Sequence, residues 1–426
     1  MNFGITEPRR LAGLLLSRVI PNVAISQNAM TQARAFGLAA ALMTAGFGFA
    51  ATAPAYAQDD GAVADESEVD AEAAADEIMG DEAGEDMAAN EDAAGEVPEP
   101  LPEATAPEIS LDDIEFAVHS DFAARQLLLD VAKAGDRLVA VGEFGHIVYS
   151  DDAGKTWVQA ERVPTQVTLT SVAFPSDKVG YAAGHDSKIL KTEDGGKTWN
   201  LVFQDAESQN PIMAIYFVDE DHGFAMGAFS LFVETEDGGK TWRFREMPVG
   251  EDDFVQFHLN DIFQSATSGT VFVAAEAGNV YRSKDEGRTW EMVSTPYDGS
   301  FWNGTVLEDG RVMIVGMRGH AFYSDDEGDS WTQAEVDGDK SIGGVTQLSD
   351  GTVVLTGLQG YVGYSTDNGE TFTAIARRDR LGFAAVAEAD GDQIAIFGEP
   401  GVRLMPNDAE AAEKAVGSKS SLANPS

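Results

Sequence analysis

The sequence predicts an all-β fold, a seven-bladed β-propeller over residues 111–406, and three observations support this prediction. An S/T-x-D-x-G-x-T/S-W/F frame, called here the Asp-box, occurs six times at intervals of 41 to 48 residues. A G-x-x-G-like turn precedes each frame, as in Gly142–Gly145 and Gly316–Gly319. Short runs of alternating or β-branched residues lie between these turns. Self-similarity at this period is typical of a propeller or a solenoid.

Each repeat is predicted to form one antiparallel four-stranded blade. In the first repeat the strands are LLLDVAKAG, RLVAVGEF, HIVYSD and TWVQAE, separated by turn residues. The Asp-box joins the third and fourth strands. Its carboxylate can accept backbone N–H groups in its own turn, and its glycine supplies a φ that other residues resist. Because this structural role explains the frame, a catalytic or calcium-binding role is the weaker alternative.

The Asp-box also places a large aromatic residue over the apolar face of its hairpin. Chance does not explain its recurrence, because five of the six tryptophans occupy the same position and Phe372 occupies it in the sixth frame. The predicted structural residues are Asp152, Asp194, Asp237, Asp285, Asp326 and Asp367, together with Trp157, Trp199, Trp242, Trp290 and Trp331.

The seventh repeat is incomplete, and this raises the question of how the ring closes. Its turn Gly398–Gly401 has no Asp-box after it, so the repeat supplies three strands. Residues 113–120 (DIEFAVHS) alternate like a strand ahead of the first repeat. The sequence therefore predicts closure by an N-terminal strand, with residues 113–120 as the outer strand of blade seven, which would remove an open edge.

The regions flanking the propeller have the composition of a leader, a linker and a tail. Residues 35–57 are apolar and end in Ala55-Tyr56-Ala57, which predicts a signal peptide over residues 1–57, cleaved after Ala57, and an exported, periplasmic protein. Translation from Met30 would give a leader of ordinary length, and retention as an uncleaved anchor is the alternative. Residues 58–110 contain nineteen acidic and no basic residues, which predicts a disordered linker. Residues 407–426 are predicted to form a flexible tail.

Charge and cysteine content exclude several classes of function. A net charge of −44 argues against nucleic acid and anionic membranes as partners, because phosphate binding needs clustered Lys and Arg. The chain has no cysteine, which removes disulfides, thiolate catalysis and Cys-based zinc sites. No cofactor, metal or small-molecule substrate is expected, and a monomer is expected.

With its Asp-boxes and G-x-x-G turns, the chain resembles the BNR-repeat propellers, and within them the photosystem II stability/assembly factor family. The finer match is the short period, with a G-x-x-G turn about ten residues ahead of the Asp. The resemblance implies an exported, non-enzymatic scaffold that binds a membrane-protein partner. In the envelope this partner would be an exporter or another complex. The family is known for an arginine patch, whereas Arg318 is the one basic residue in the middle of these turns. This departure puts the photosystem partner itself in doubt.

The candidate partner-binding residues lie at the end of the ring that carries the G-x-x-G turns. They are Arg318, the cluster Arg377, Arg378 and Arg380 in the loop entering blade seven, and Trp302, the one tryptophan outside an Asp-box. Buried rings dominate interface energetics, although core packing is the alternative for Trp302 and a solvated loop for the arginines.

An enzymatic role is the alternative class of function. A divergent sialidase-like glycoside hydrolase would need three converging arginines and a Tyr nucleophile, and no Arg-Ile-Pro or Arg-Leu-Pro precedes the first Asp-box. A glycan-binding module is a third alternative. His146 and His320 occupy equivalent positions, but in blades one and five, which argues against a shared metal.

Overall fold

We describe the fold from a computed structural model, which defines residues 103–104, 114–248 and 256–417. The predicted leader, and the predicted linker apart from residues 103–104, lie outside this part of the chain. No helix in these ranges is long and apolar enough to cross a membrane.

The described residues form seven antiparallel sheets, one for each predicted blade. Strand β1 (Glu103–Ala104) pairs with the outer strand of blade three. Blade one comprises β2 (Leu128–Ala134), β3 (Arg137–Gly142), β4 (Ile147–Ser150) and β5 (Val158–Gln159). Blade two comprises β6 (Leu169–Ala173), β7 (Gly180–Gly184), β8 (Lys188–Thr192) and β9 (Asn200–Gln204). Blade three comprises β10 (Ile212–Phe217), β11 (Gly223–Gly227), β12 (Phe232–Thr235) and β13 (Trp242–Phe244).

The remaining blades repeat this order with two variations. Blade four comprises β14 (Leu259–Gln264), β15 (Val271–Ala275), β16 (Asn279–Ser283) and β17 (Glu291–Ser294). Blade five comprises β18 (Phe301–Val306), β19 (Val312–Gly316), β20 (Ala321–Ser324) and β21 (Thr332–Gln333). Blade six comprises β23 (Ile342–Gln347), β24 (Val353–Gly357), β25 (Tyr361–Ser365) and β26 (Thr371–Ala376), and β22 (Glu335–Val336) pairs parallel with β26. Blade seven comprises β27 (Phe383–Glu388), β28 (Gln393–Gly398) and β29 (Gly401–Pro406).

The Asp-box turns are held by side-chain hydrogen bonds within each turn. In blade one, the Thr156 backbone N–H donates to Oδ1 of Asp152 at 2.8 Å, and the Thr156 hydroxyl donates to Oδ2 at 2.6 Å. The Ser150 hydroxyl also donates to Oδ1 at 2.8 Å. The same contacts recur around Asp194, Asp237, Asp285, Asp326 and Asp367. Each carboxylate therefore fixes the hairpin between the third and fourth strands of its blade.

Cationic side chains join most Asp-box turns to the preceding blade. Arg137 of blade one pairs with Asp151 and donates from Nη1 to the Gly195 carbonyl oxygen in the turn of blade two, at 2.7 Å. Such contacts between neighbouring blades are repeated by Lys191 to Gly238, Arg245 to Arg288, Arg282 to Glu327 and Arg311 to Asn368. Because these lysine and arginine side chains hydrogen-bond to the neighbouring blade, they are not available to bind a partner.

The predicted closure by an N-terminal strand is not confirmed. Residues 114–120 form no strand and lie along the outer edge of blade one, where the Ala117 N–H donates to the Val163 carbonyl oxygen at 2.9 Å. The Gln159 side chain holds the same segment by donating to the Val118 carbonyl oxygen and accepting from the Ser120 N–H. The segment's backbone groups are thus satisfied beside blade one, and blade seven keeps three strands in the described part of the chain. Asp113 lies outside the described residues.

Blades one and seven meet instead through apolar packing and polar contacts, which include the ion pair of Lys133 with Glu388 at 4.0 Å. Leu128, Ala140 and Val148 of blade one share a core cluster with Ala395 and Phe397 of blade seven. Trp157 packs edge to face on Phe397 with ring centroids 5.5 Å apart. At the Asp-box end, Asp390 donates its N–H to the Ala153 carbonyl oxygen and pairs with Lys155 at 2.6 Å. These contacts close the ring.

The tail predicted from residue 407 is partly helical. Helix α1 (Ala409–Gly417) follows β29, and its Ala412 is fully buried in the core cluster of blades six and seven. Ala409 and Val416 pack against the same cluster. Alanine-rich sequence has high helix propensity, and the apolar surface of blades six and seven gives the helix a face to bury.

Candidate functional site

The central channel opens into a cavity at the end of the ring that carries the G-x-x-G turns, called here the G-x-x-G end. The cavity has a volume of about 550 Å³. Its wall is formed by the first residues of the innermost strands of the blades, where each strand has a bulge. Its lining includes Asp130, Asp261, Asn303, Trp302, Met213 and Met317.

Asp130 and Asp261 occupy equivalent positions in blades one and four, and each bridges two blades. Asp130 accepts the N–H of Val131 at 2.7 Å on Oδ1, and that of Val172 in blade two at 2.8 Å on Oδ2. Asp261 accepts the N–H of Ile262 and that of Gly304 in blade five, both at 2.9 Å. In blades two and five the same bridging is done by Ser171 to Ile215 and by Asn303 to Val345. A ring of acceptors therefore ties innermost strands together around the cavity.

Burial governs the protonation of both aspartates. Desolvation raises the pKa of Asp130 to about 6, although the backbone N–H donors of Val172 and Val131 oppose it. Desolvation also raises the pKa of Asp261 to about 8, and the negative charge of Asp130 raises it further. At neutral pH, Asp130 is therefore mainly ionised and Asp261 mainly protonated.

The raised pKa values of Asp130 and Asp261 predict that the free energy of unfolding falls as the pH rises. A carboxyl with a raised folded-state pKa contributes stability that is complete below its unfolded value, 3.8, and is lost as the pH rises through the folded value, about 8 for Asp261. Between about pH 6.5 and pH 8, where the loss approaches about 1.4 kcal/mol per pH unit, we expect this group to lower the free energy of unfolding by about 2 kcal/mol. Urea denaturation at several pH values measures the loss, and Asp261→Asn should remove most of it. An identical pH profile in the wild type and this variant would refute the assignment.

The turns at the G-x-x-G end form a rim of exposed tips around the cavity. The middle residues of six turns adopt φ between 55° and 59°, a conformation uncommon for residues other than glycine. They are Phe144, Asp186, Phe229, Ala277, Arg318 and Gln359. Phe144 and Phe229 are 57% and 54% exposed. Exposed aromatic rings on rigid turns are a feature of binding surfaces.

The structure separates the predicted partner-binding residues into accessible and structural groups. Arg318, Arg378 and Arg380 are exposed at the G-x-x-G end, and Trp302 is half-buried in the cavity wall. Arg377 is 7% exposed, pairs with Asp379 and lies over the Phe383 ring. Arg377 therefore stabilises the connection between blades six and seven. It is not part of the accessible surface that the sequence predicted for it.

Two residues that the sequence analysis missed extend the basic surface near Arg377. Arg403 of β29 has its pKa lowered by burial, and the charges of Arg377 and Arg125 lower it further, so these three guanidinium groups lie near one another. Arg125 ends the short helical turn Ala123–Arg125, which packs on blades one and seven. A basic cluster therefore does form at this end, but it is assembled from distant parts of the chain.

The sequence analysis also missed Asp130 and Asp261. A signal was present in the sequence, because Leu128-Leu129-Asp130-Val131 and Leu259-Asn260-Asp261-Ile262 share an L-x-D-aliphatic pattern at the start of the innermost strand.

The two histidines that were considered as metal ligands each pack within their own blade. His146 is buried in blade one, and His320 stacks on Tyr297 with ring centroids 4.3 Å apart. Among the described residues no group of three or more His, Cys, Asp or Glu is placed to hold a metal ion.

The sheets and turns define the class of this protein as a seven-bladed β-propeller. Residues 202–354, which run from the last strand of blade two into blade six, match the model of a family described as "Photosynthesis system II assembly factor YCF48". The chain thus resembles the photosystem II assembly factor family, as the sequence predicted.

Solved structures share the fold. A structure titled "YCF48 bound to D1 peptide" is 19% identical with a TM-score of 0.54, covering 70% of this chain and 98% of that chain. YCF48 from Cyanidioschyzon merolae is 14% identical with a TM-score of 0.53, covering 68% of this chain and 97% of that one. The WD40 β-propeller domain of Doa1 is also 14% identical with a TM-score of 0.53, covering 73% and 99%.

One curated protein matches over a short segment. The vacuolar protein sorting/targeting protein 10 of Laccaria bicolor is 43% identical over 56 residues, which is 13% of this chain. The match spans 4% of the length of that relative.

Proposed function

We propose that this protein is a non-catalytic, exported scaffold whose G-x-x-G end holds a segment of an envelope membrane protein while its complex assembles or operates. The observation that carries this proposal is the concentration of exposed aromatic and basic side chains at that end. Phe144, Phe229, Arg318, Arg378 and Arg380 are all exposed there.

The two ends of the ring differ in a way that supports the proposal. At the Asp-box end, the aspartates, hydroxyls and several cations are occupied in holding turns and neighbouring blades. At the G-x-x-G end, the turn tips point outward from a rigid framework, which is the usual arrangement of binding residues on loops. The family match over residues 202–354 supports a role as an assembly factor. A peptide as ligand is supported by the solved structure described as YCF48 bound to a D1 peptide.

The proposal is tested by affinity purification with the full chain as bait on detergent-solubilised membranes. We expect one membrane protein to be enriched, and the triple variant Arg318→Glu, Arg378→Glu, Arg380→Glu to reduce its recovery at least about tenfold. Charge reversal at rim contacts costs several kcal/mol when like charges are juxtaposed. The matched control reverses three exposed lysines at the Asp-box end, Lys178→Glu, Lys240→Glu and Lys284→Glu, and should leave recovery unchanged.

Two outcomes would contradict the proposal. Equal loss of recovery in both triple variants would point to a general charge effect. Recovery of no membrane protein by the wild type would refute the proposed partner.

Export has its own measurement, because N-terminal sequencing of the mature protein from the periplasm should begin at Gln58. A mature protein that begins at Met1 or Met30 and stays in the cytoplasm would refute export.

A further inference from the structure

The cavity holds two carboxyl groups with no cation beside them. Asp130 and Asp261 both line it, while no lysine or arginine among the described residues does so. No basic group contributes to the pKa of either one, and the largest effect on both is desolvation. Glu276 adds a third acidic side chain to the lining, with His258 3.8 Å away. The lining thus has three acidic side chains and one histidine, and the histidine lies beside Glu276.

The two carboxyl groups keep acceptor capacity for a ligand. Each oxygen accepts one backbone N–H, so each group makes two of these hydrogen bonds. The Ser171 side chain adds a third hydrogen bond to Asp130. An ionised carboxylate offers about four acceptor sites, which leaves about one on Asp130 and about two on Asp261. Both side chains are partly exposed, and they line the cavity wall.

The rest of the wall is largely apolar. Trp302 contributes an aromatic ring, and Leu129, Met213, Phe263 and Met317 contribute aliphatic, thioether and aromatic surface. An aromatic face attracts a cation by about 0.5–1 kcal/mol or more when water is excluded. Since no three His, Cys, Asp or Glu side chains among the described residues are placed to hold a metal ion together, this wall suits an organic cation better than a metal ion.

We propose that the cavity is a binding site for an organic cation, an ammonium or guanidinium group carried on an apolar stem. A lysine or arginine side chain of a protein segment and a free diamine both present this chemistry. The cavity volume, about 550 Å³, lies within the range of small-ligand pockets. This site is distinct from the exposed arginines of the proposed function, which would attract acidic groups.

Proton release follows from the protonation of Asp261. Because Asp261 has a pKa raised to about 8, a cation arriving at neutral pH must displace its proton or bind beside a neutral group. The other titratable groups lining the cavity are Asp130, His258 and Glu276. Affinity should therefore rise with pH between about 6 and 9, by up to roughly tenfold per pH unit while one proton is released.

The test is isothermal titration calorimetry on the full chain with 1,5-diaminopentane and with a blocked pentapeptide that carries one central lysine. We expect saturable binding of one ligand per chain at about pH 8, with a dissociation constant on the order of 1 mM for the diamine. Asp130→Asn and Asp261→Asn should each weaken binding at least about tenfold, because each removes an ionisable partner. The control Asp221→Asn, an exposed aspartate at the Asp-box end, should bind like the wild type.

Further measurements keep the proposal testable if a cavity variant fails to fold. Titrations of the wild type in buffers with different ionisation enthalpies report proton release directly and need no variant. Tighter binding of the peptide identifies a side chain as the source of the cation, and tighter binding of the diamine identifies a free amine. Absence of saturable binding by either probe, or unchanged binding in both well-folded Asn variants, overturns the proposal. The triple arginine variant at the rim should retain cation binding, so the proposed function and this site fail separately.

Discussion

Replacement of Trp199 by alanine is expected to lower the free energy of unfolding by about 3–5 kcal/mol, the range for truncating a large buried aromatic residue. Trp199 is fully buried in the core cluster shared by blades one and two, with Val139 and Leu190 among its neighbours. Phe174 packs edge to face on it at 6.1 Å, and its Nε1 donates to the Gly196 carbonyl oxygen at 3.0 Å. Alanine would leave a cavity between two blades and an Asp-box carbonyl without its donor.

Urea denaturation followed by circular dichroism measures this loss, and the repeat itself supplies the control. Trp331 occupies the same Asp-box position in blade five, but it is only partly buried and its Nε1 has no hydrogen-bond partner there. Trp331→Ala should cost about 1–2 kcal/mol, because less apolar surface is removed from the interior. Equal losses at the two positions would mean that burial does not set the contribution of this tryptophan.

Replacement of Gly316 by alanine is expected to cost about 2–3 kcal/mol through a steric conflict with backbone. Its φ of −172° is extended, so the backbone conformation itself suits any residue. A Cβ at this position, however, would lie 2.2 Å from the Ser300 carbonyl oxygen and 2.8 Å from the Phe301 Cα. The first glycine of the turn is therefore required because the innermost strand approaches it closely at its bulge.

Blade four provides the matched control for this glycine, because it carries Ala275 at the equivalent position. Ala275→Gly should lower stability by about 0.5–1 kcal/mol, the ordinary cost of glycine in a strand. Thermal denaturation of both variants compares the two effects. A loss at Gly316→Ala no greater than that at Ala275→Gly would show that the innermost strand can move to admit a methyl group.

The absence of a closing strand from the described residues changes what truncation should affect. The segment around Ala117 contacts blade one, so its removal exposes that edge without separating blades one and seven. The contact that joins the first and last blades is the apolar cluster containing Leu128 and Phe397. Closure thus depends on side-chain packing between the two sheets, together with the polar contacts of Asp390.

The candidate site was only partly predictable. Placing Trp302 and Arg318 at one end followed from strand order, because turns between the second and third strands lie at the same end of every blade. The burial of Arg377 was not predictable, since its partners Asp379 and Phe383 become neighbours through the local turn and the start of the next blade. The shared cavity of Asp130 and Asp261 depends on the curvature of the ring, which brings residues 131 positions apart in the sequence to one wall.

The sequence alone determined the number of blades, the strand order and the turns, because these depend on local chemistry repeated at a fixed period. In each of the six Asp-boxes the aspartate and the hydroxyl residue four positions later form the same turn, as Asp152 and Thr156 do. The tertiary structure decided how the ring closes, that residues 409–417 form a helix, and which charges are accessible. Those features depend on which surfaces meet after the blades assemble, and burial then changes the pKa and the availability of side chains that look alike in the sequence.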